Sequence, residues 1–156
     1  HAYARAAGMV APVVEQPQYS MVYRERVEEQ ILPATKAAGM GIVAWSPLAM
    51  GMLTGKYDDG LPAGSRFAEN EGMGARYLTE ANLAKVRALK AVADDLEMTR
   101  AQLALAWVLR QEGVSSVITG ATRVEQLEDN LGVADVTLDT ATIERIEAIL
   151  TGADAA

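Results

Sequence analysis

Apolar residues along this chain follow two patterns, and their alternation predicts strands that are followed by helices. The segments at 12–16, 42–46 and 114–119 are predicted to be strands with apolar side chains on both faces, and Ile42 to Trp45 is a continuous apolar run. The segments between and after them carry apolar residues every three or four positions, as amphipathic helices do. The predicted helices cover 2–7, 24–38, 80–96, 100–112, 124–131 and a final stretch from Thr140.

Residues of two kinds mark the ends of these helices. Threonine is a favoured N-cap and glycine a favoured helix stop; they stand at Thr79, Thr99 and Thr140, and at Gly8, Gly39 and Gly113. Pro33 lies inside the helix at 24–38, where it lacks a backbone donor, so the sequence predicts a kink or a break there. Residues 57–78 show no period and are predicted to form a long loop, which is usually functional or disordered.

The fold class follows from the order of these elements. Strands that alternate with helices indicate an α/β fold with parallel strands and right-handed crossovers. Three strands cannot close a barrel, because about eight are required. The chain begins with His1 rather than Met, inside a predicted helix, so we expect it to be a segment of a longer protein.

Composition narrows the function classes. A chain of 156 residues, half of them hydrophobic, is long enough to fold around a real core. The net charge of −7 argues against a nucleic-acid partner, and no apolar run approaches the roughly 20 residues that cross a membrane. The absence of cysteine excludes disulfides and thiolate metal sites. No signal peptide is visible, and we expect a cytoplasmic protein that uses no metal.

The end of the strand at 42–46 is the first candidate site. An aromatic residue, Trp45, and a hydroxyl, Ser46, precede a loop that contains Gly51, Gly55 and a single cation, Lys56. Such groups at the carboxyl end of a parallel strand are typical of a ligand site. Spacing alone is equally compatible with a buried strand that leads into an ordinary loop.

Three segments resemble consecutive motifs of the aldo-keto reductases. The run from Trp45 through Gly51 to Tyr57 is similar to the family's seventh strand, in the variant of bacterial reductases related to potassium-channel beta subunits. Residues 15–20 are similar to the sixth strand, and 113–130 to the eighth strand and the helix after it. Because the three motifs occur in the family's order over nearly the whole chain, the resemblance is specific.

This resemblance implies both a fold and an activity. Residues 1–156 would form the C-terminal half of an eight-stranded (β/α)8 TIM barrel, strands six to eight with their helices, and the N-terminal half of the domain would be absent. The parent protein would be an NADP(H)-dependent oxidoreductase that reduces aldehydes or ketones to alcohols. Its partners would be a nicotinamide cofactor and a small carbonyl substrate, whose identity the sequence leaves open.

The resemblance also implies the residues of the nicotinamide and pyrophosphate end of the site. Gln16 would hold the carboxamide, Trp45 would stack on the nicotinamide, and Arg66 would contact a phosphate. The remaining contacts in this stretch would come from Ser46, Pro47, Leu48, Met50 and Lys56. The alternatives are a surface glutamine for Gln16, a core tryptophan for Trp45 and a solvated charge for Arg66. Trp107, by contrast, is predicted to be a core residue.

The adenosine end of the implied site lies between residues 120 and 130. Gly120 would allow close approach of the backbone, and Thr122 and Gln126 would contact the ribose 2′-phosphate. Asp129 and Asn130 would bind the adenine amino group. Gly120 and Gln126 stand where many family members carry a lysine and an arginine, so the preference for NADP over NAD stays open, and Arg123 is the candidate for the missing charge.

No catalytic residue is assigned within this chain. The family's catalytic tyrosine and its lysine, aspartate and histidine partners belong to the first half of the barrel, and neither His1 nor any of the five tyrosines matches them. We therefore expect the isolated segment not to transfer hydride. Two alternatives are a cofactor-sensing subunit without catalysis, like the channel beta subunits, and a self-associating half-barrel with a structural role.

The predicted strands also imply a partner for the barrel-facing side. Two of three strands in such a fragment would have unpaired edges, and Val43, Trp45 and Val117 would lie near water. We expect the chain to form a homo-oligomer through this side or to exist together with the missing N-terminal half.

Overall fold

The computed structural model describes residues 1–152, except for the side chain of Glu71, and contains one three-stranded sheet within that range. The strands are β1 (Val14–Glu15), β2 (Gly41–Trp45) and β3 (Val114–Ile118). They lie in the order β1-β2-β3, and both neighbouring pairs are parallel. The predicted α/β class with parallel strands is therefore confirmed.

Seven α-helices connect and follow these strands in the described residues. They are α1 (Ala2–Ala6), α2 (Leu32–Ala38), α3 (Glu71–Tyr77), α4 (Glu80–Asp95), α5 (Arg100–Leu109), α6 (Val124–Leu131) and α7 (Thr140–Thr151). A π-helical segment at Val27–Ile31 leads into α2, and a short 3₁₀ segment at Ala49–Thr54 follows β2. None of the helices in this part of the chain is both long and apolar enough to cross a lipid bilayer.

The break predicted at Pro33 takes the form of the π-helical segment. The amide of Leu32 donates to the carbonyl of Val27, five residues back, and Pro33 follows in the first turn of α2. A wider turn just before a proline accommodates its ring and its missing donor. The helix then ends as predicted at Gly39, whose φ of 66° places it in the left-handed region.

The core lies between one face of the sheet and the helices. Ile42 and Ala44 of β2 are fully buried on that face, where they join the same apolar cluster as Leu103 and Trp107 of α5. The alternate residues of β2 point the other way: Val43 is half-buried, and Trp45 is 37% exposed. At β2 one face of the sheet is therefore packed and the other is open, whereas both residues of β1 are exposed.

A β-bulge in β3 corrects the prediction that Val117 lies near water. Ile42 pairs with Val114, but Val43 pairs with Ser116, so Ser115 is the extra residue. Val117 consequently pairs with Ala44 and packs against the core. Ile118 shares the open face with Trp45 instead, and its side chain is 44% exposed. With Ser115 and Ser116 exposed, β3 is not apolar on both faces.

Several predicted elements differ from the structure in their bounds or content. The first strand covers only 14–15, because it lies at an edge of the sheet and Pro17 interrupts its pairing with β2. The helix predicted at 100–112 ends at Leu109 and is followed by a turn. Asp139, not Thr140, caps the last helix, since its side chain accepts from the amide of Thr142. The loop predicted at 57–78 contains helix α3.

Other local predictions are confirmed. The side chains of Thr79 and Thr99 accept hydrogen bonds from the third amide of α4 and α5, as N-caps do. Helix α6 has the predicted bounds of 124–131. Trp107 is fully buried, and its indole N–H donates to Glu147 at 3.1 Å.

The guanidinium groups of Arg24 and Arg110 lie over the Trp107 ring, 4.8 Å and 4.1 Å from its centre. Both arginines also pair with Glu147 of α7. This cluster joins α5 and α7 to the segment that follows β1. Burial alone would raise the pKa of Glu147, but the hydrogen bonds and charges of these partners outweigh it, so that pKa is lowered.

Candidate functional site

The carboxyl ends of β1 and β2 are held together by backbone hydrogen bonds. The amide of Trp45 donates to the carbonyl of Pro17 at 3.0 Å, and its carbonyl accepts from the amide of Tyr19 at 3.2 Å. Gln16, just before this contact, has an exposed side chain. Gln16, Trp45 and Ile118 therefore lie together at the carboxyl end of the three strands, where ligands of parallel sheets bind.

The turn after β2 has an unusual backbone. Ser46, Ala49 and Met50 adopt φ angles of 56°, 48° and 58°, and Gly51 follows at 91°. Positive φ in a residue other than glycine costs free energy and persists where the surrounding structure imposes it, often at functional sites. Pro47 is buried, and Ala49 and Met52 belong to the apolar core, which anchors this turn.

A methionine sulfur joins two of the predicted phosphate ligands. The hydroxyl of Ser46 donates to Met50 Sδ at 3.4 Å, and Arg66 Nη1 donates to the same sulfur at 3.1 Å. Arg66 lies 16 residues beyond Met50, so the loop folds back on the turn. The half-buried Leu48 completes the turn through its carbonyl, which accepts from the amides of Gly51 and Leu53.

Lys56 reaches the same turn from its far end. Its Nζ would be 2.8 Å from a β-carbon built on Gly51, and it lies 5.0 Å from the centre of the Tyr57 ring. The side chain is exposed. The structure thus brings together a hydroxyl and two cations, from Ser46, Lys56 and Arg66, which are groups that bind phosphate oxygens.

Thr122 and Gln126, predicted at the adenosine end, contact each other at the start of α6. The amide and the hydroxyl of Thr122 both donate to Gln126 Oε1, at 2.8 Å and 3.2 Å. Arg123 is exposed at the N-cap position of α6. Gly120 is also exposed, and a β-carbon added to it would meet no atom within 4 Å.

The other two residues of the adenosine end lie at the C-terminal end of α6. Asp129 accepts from the hydroxyl of Thr99 at 3.1 Å, and its backbone carbonyl accepts from Gln102 at 3.2 Å. Asp129 therefore joins α6 to the capping box of α5, a structural contact that the sequence did not indicate. Asn130, beside it, is half-buried.

Two cavities in the described part of the chain lie away from these residues. One, of about 700 Å³, is lined by residues just before β2 and β3, including Met40 and Gly113, at the opposite edge of the sheet. The other, of about 690 Å³, lies beside α7 and includes Tyr23 and Lys85. Neither is lined by a predicted cofactor ligand. Gln16, Trp45 and Lys56 are exposed, so the candidate site lies at an open surface.

Sequence reasoning missed one residue that contacts the loop carrying Lys56. Arg100, at the start of α5, pairs with Asp58, and its guanidinium packs on Gly55. The two partners lie more than 40 positions away along the chain. An arginine directly after the N-cap Thr99 is an ordinary helix residue in the sequence, so nothing in the sequence pattern indicates this contact or its partner.

Comparison with known proteins connects this geometry to a family. The sequence model of the Aldo/keto reductase family matches residues 2–151. A probable voltage-gated potassium channel subunit beta of Arabidopsis thaliana is 46% identical over 147 residues, which cover 91% of this chain and 45% of the relative.

Two further relatives carry similar names. The one from Oryza sativa subsp. japonica, also a probable voltage-gated potassium channel subunit beta, is 45% identical over 147 residues, covering 91% of this chain and 45% of the relative. The putative one from Schizosaccharomyces pombe is 39% identical over 135 residues, 84% of this chain and 39% of the relative. The chain spans about half the length of these relatives or less. Because the family model covers almost all of the chain, this protein belongs to the aldo/keto reductase family.

Proposed function

We propose that this chain supplies the cofactor site of an NADP(H)-dependent aldo-keto reductase that converts aldehydes or ketones to alcohols. Membership of the family supports a nicotinamide cofactor and an oxidoreductase activity. The observation that carries the proposal is the convergence of Ser46, Lys56 and Arg66 on one strained turn at the carboxyl end of β2.

Each group in this arrangement has a role suited to its chemistry. The amide of Gln16 can donate to and accept from a carboxamide, and the half-exposed face of Trp45 offers a stacking surface for a flat ring. Ser46, Lys56 and Arg66 would hold the pyrophosphate. Bound NADPH would supply the hydride, and these side chains would fix its orientation at the open edge of the sheet.

The adenosine half would lie along the start of α6. Thr122 and Gln126 would leave their mutual contact to bind the 2′-phosphate, and the exposed guanidinium of Arg123 would add a positive charge. Asp129 and Asn130 would bind the adenine amino group. Gly120 would allow the adenosine to approach the backbone, since the space above it is open.

The three strands would be the sixth, seventh and eighth of a (β/α)8 barrel. Two observations support this placement: one face of the sheet is open at Val43 and Trp45, and the chain spans 45% of the two plant relatives. The proton donor and the substrate loops would then come from the other half of the barrel. This follows the family pattern, in which none of the catalytic group lies in this half.

Calorimetric titration of the full chain with NADPH tests this proposal. We expect saturable binding that weakens in Gln16→Ala and Gln126→Ala, which remove one ligand at each end of the cofactor. Arg145→Ala is the matched control, because it removes an exposed side chain paired with Asp95 outside the site. Equal binding by all four proteins would contradict the proposed ligands.

A second candidate is a cofactor-sensing subunit that binds NADPH without turnover. The names of the relatives, which are potassium channel subunits beta, favour it. Assay of the parent protein with NADPH and nitrobenzaldehyde separates the two candidates. Turnover supports the reductase, whereas saturable NADPH binding with no turnover supports the sensing subunit.

A further inference from the structure

The guanidinium of Arg100 is packed between two points of the loop that carries Lys56. Its Nη1 pairs with Asp58 Oδ2 at 2.6 Å and also donates to the carbonyl of Val86 at 3.2 Å. A β-carbon built on Gly55 would lie 1.7 Å from Nη2 and 1.9 Å from Cζ. The Arg100 side chain is only 15% exposed. Arg100 therefore occupies the space that any side chain at Gly55 would need.

Lys56 lies between these two contact points along the chain. The amide of Asp58 donates to the carbonyl of Gly55 at 3.1 Å, which closes a tight turn around Lys56 and Tyr57. Within the described residues, the second oxygen of the Asp58 carboxylate is buried without a hydrogen-bond partner, so the pair with Arg100 is its main compensation. Arg100 thus fixes the backbone on both sides of Lys56.

We propose that Arg100 is a positioning residue that holds the Lys56 ammonium in place for the cofactor's phosphates. This inference rests on the proposed function, in which Lys56 binds the pyrophosphate. The Arg100 guanidinium is already bound to Asp58 and to the carbonyl of Val86 in α4, so Arg100 acts through Lys56 rather than on the cofactor itself.

Removing the guanidinium has a defined consequence. Arg100→Met keeps most of the side-chain length but leaves the Asp58 carboxylate partly buried and unpaired. The 55–58 turn then loosens, and Lys56 must be ordered again when phosphate binds. Because the variant loses the charged hydrogen bond between Arg100 and Asp58, we expect NADPH affinity to fall by about tenfold.

A double-mutant cycle in the full chain separates positioning from general destabilisation. NADPH binding is measured for the unmodified chain, Arg100→Met, Lys56→Met and the double variant, and adenosine 2′-monophosphate is the probe for the adenosine end alone. We expect Arg100→Met to weaken NADPH binding, to leave the nucleotide monophosphate unaffected, and to add nothing in the Lys56→Met background. Additive losses, or equal loss of both ligands, would overturn the inference.

Hydrogen exchange provides a second test that needs no cofactor. We expect the amides of 51–58 to exchange faster in Arg100→Met, while those of 140–151 in α7 keep their rates. If the methionine variant does not fold, Arg100→Lys takes its place. It retains the charge but not the planar guanidinium, so it should speed exchange at 51–58 to a smaller extent. Unchanged exchange at 51–58 would overturn the inference. Failure of the unmodified chain to bind NADPH would instead count against the proposed function.

Discussion

The ammonium of Lys56 lies over the backbone of Gly51. A β-carbon at Gly51 would be 2.8 Å from Nζ and 2.9 Å from Cε of the lysine, and Gly51 has a φ of 91°. The glycine therefore serves two purposes, since it permits the left-handed backbone and leaves room for the lysine. The closeness of Lys56 and Gly51 creates a cation at the mouth of the turn.

Gly51→Ala should weaken NADPH binding by displacing this lysine. Gly152→Ala is a matched control, because Gly152 also has a left-handed φ, 76°, but its β-carbon would meet no atom within 4 Å. Both substitutions should lower the free energy of unfolding by roughly 1 kcal/mol through backbone strain. Calorimetric titration should show weaker NADPH binding only in Gly51→Ala, and equal affinities would contradict the role of Lys56.

Arg123→Leu should change the choice between the two nicotinamide cofactors. If Arg123 supplies the charge for the 2′-phosphate, its loss should reduce NADPH affinity by about tenfold and leave NADH affinity nearly unchanged. Arg145→Leu removes another exposed arginine and serves as the control. An equal loss of affinity for NADPH and NADH would show that Arg123 does not bind the 2′-phosphate.

Thr99→Ala should destabilise the chain more than Thr79→Ala. Both threonines cap a helix, and loss of a cap costs about 1 kcal/mol. Thr99 also donates to Asp129 at 3.1 Å, which joins α5 to α6. Urea unfolding should therefore show a larger loss for Thr99→Ala. Equal losses would mean that the Asp129 contact contributes nothing to stability.

Acid should weaken the cluster around Glu147. Burial alone would raise the pKa of this carboxyl. The opposing effect of Arg24, Trp107 and Arg110 is larger, so the pKa lies below its ordinary value of 4.5. Its ion pairs therefore stabilise the fold fully above pH 4.5 and lose that contribution as the pH falls through the lowered folded value. Glu147→Gln should show a smaller decline in unfolding free energy over this acidic range, measured by urea unfolding at successive pH values.

Much of the fold could be predicted from the sequence because its signals are local. Thr79 and Thr99 cap helices with their own side chains, and the apolar periods of α4 and α5 lie within single segments. Where two capping residues are adjacent, as at Asp139 and Thr140, the sequence could not choose between them. Helix α3 was missed because Gly72 and Gly74 weaken the helical pattern, although Asn70 caps it.

The candidate site could be predicted only in part. Trp45, Ser46 and Lys56 form a contiguous motif, so their proximity follows from the chain itself. The contact of Arg66 with Met50, the pairing of Arg100 with Asp58 and the bond from Thr99 to Asp129 depend on tertiary packing. The bulge at Ser115 likewise changes which residues of β3 face the open side, and periodicity alone cannot reveal it.

The open face of the sheet predicts that the chain is not a stable monomer. Trp45 and Ile118 are 37% and 44% exposed, so each forgoes part of the roughly 1.5–3 kcal/mol that full burial of such a side chain contributes. Summed over several side chains, this loss is a substantial part of the total stability of a small domain, about 5–15 kcal/mol. Sedimentation equilibrium should show self-association. A monodisperse 16.6 kDa monomer that unfolds cooperatively and binds no dye for apolar surface would contradict the half-barrel.

The isolated chain should reduce no carbonyl compound. None of its tyrosines matches the family's proton donor, and the Tyr19 hydroxyl is committed to Glu28, with burial and that bond raising its pKa. NADPH oxidation with nitrobenzaldehyde should stay at the background rate. Turnover that is abolished by a substitution within this chain would contradict the prediction.

The central claim, that this chain carries the nicotinamide site, is tested most directly by tryptophan fluorescence during titration with NADPH. Trp45 lies at the open edge and Trp107 is fully buried, so the unmodified chain should be quenched more strongly than Trp45→Phe, which retains only Trp107. Emission that stays constant up to millimolar NADPH, or equal quenching in the Trp45→Phe variant, would contradict a cofactor site at Trp45.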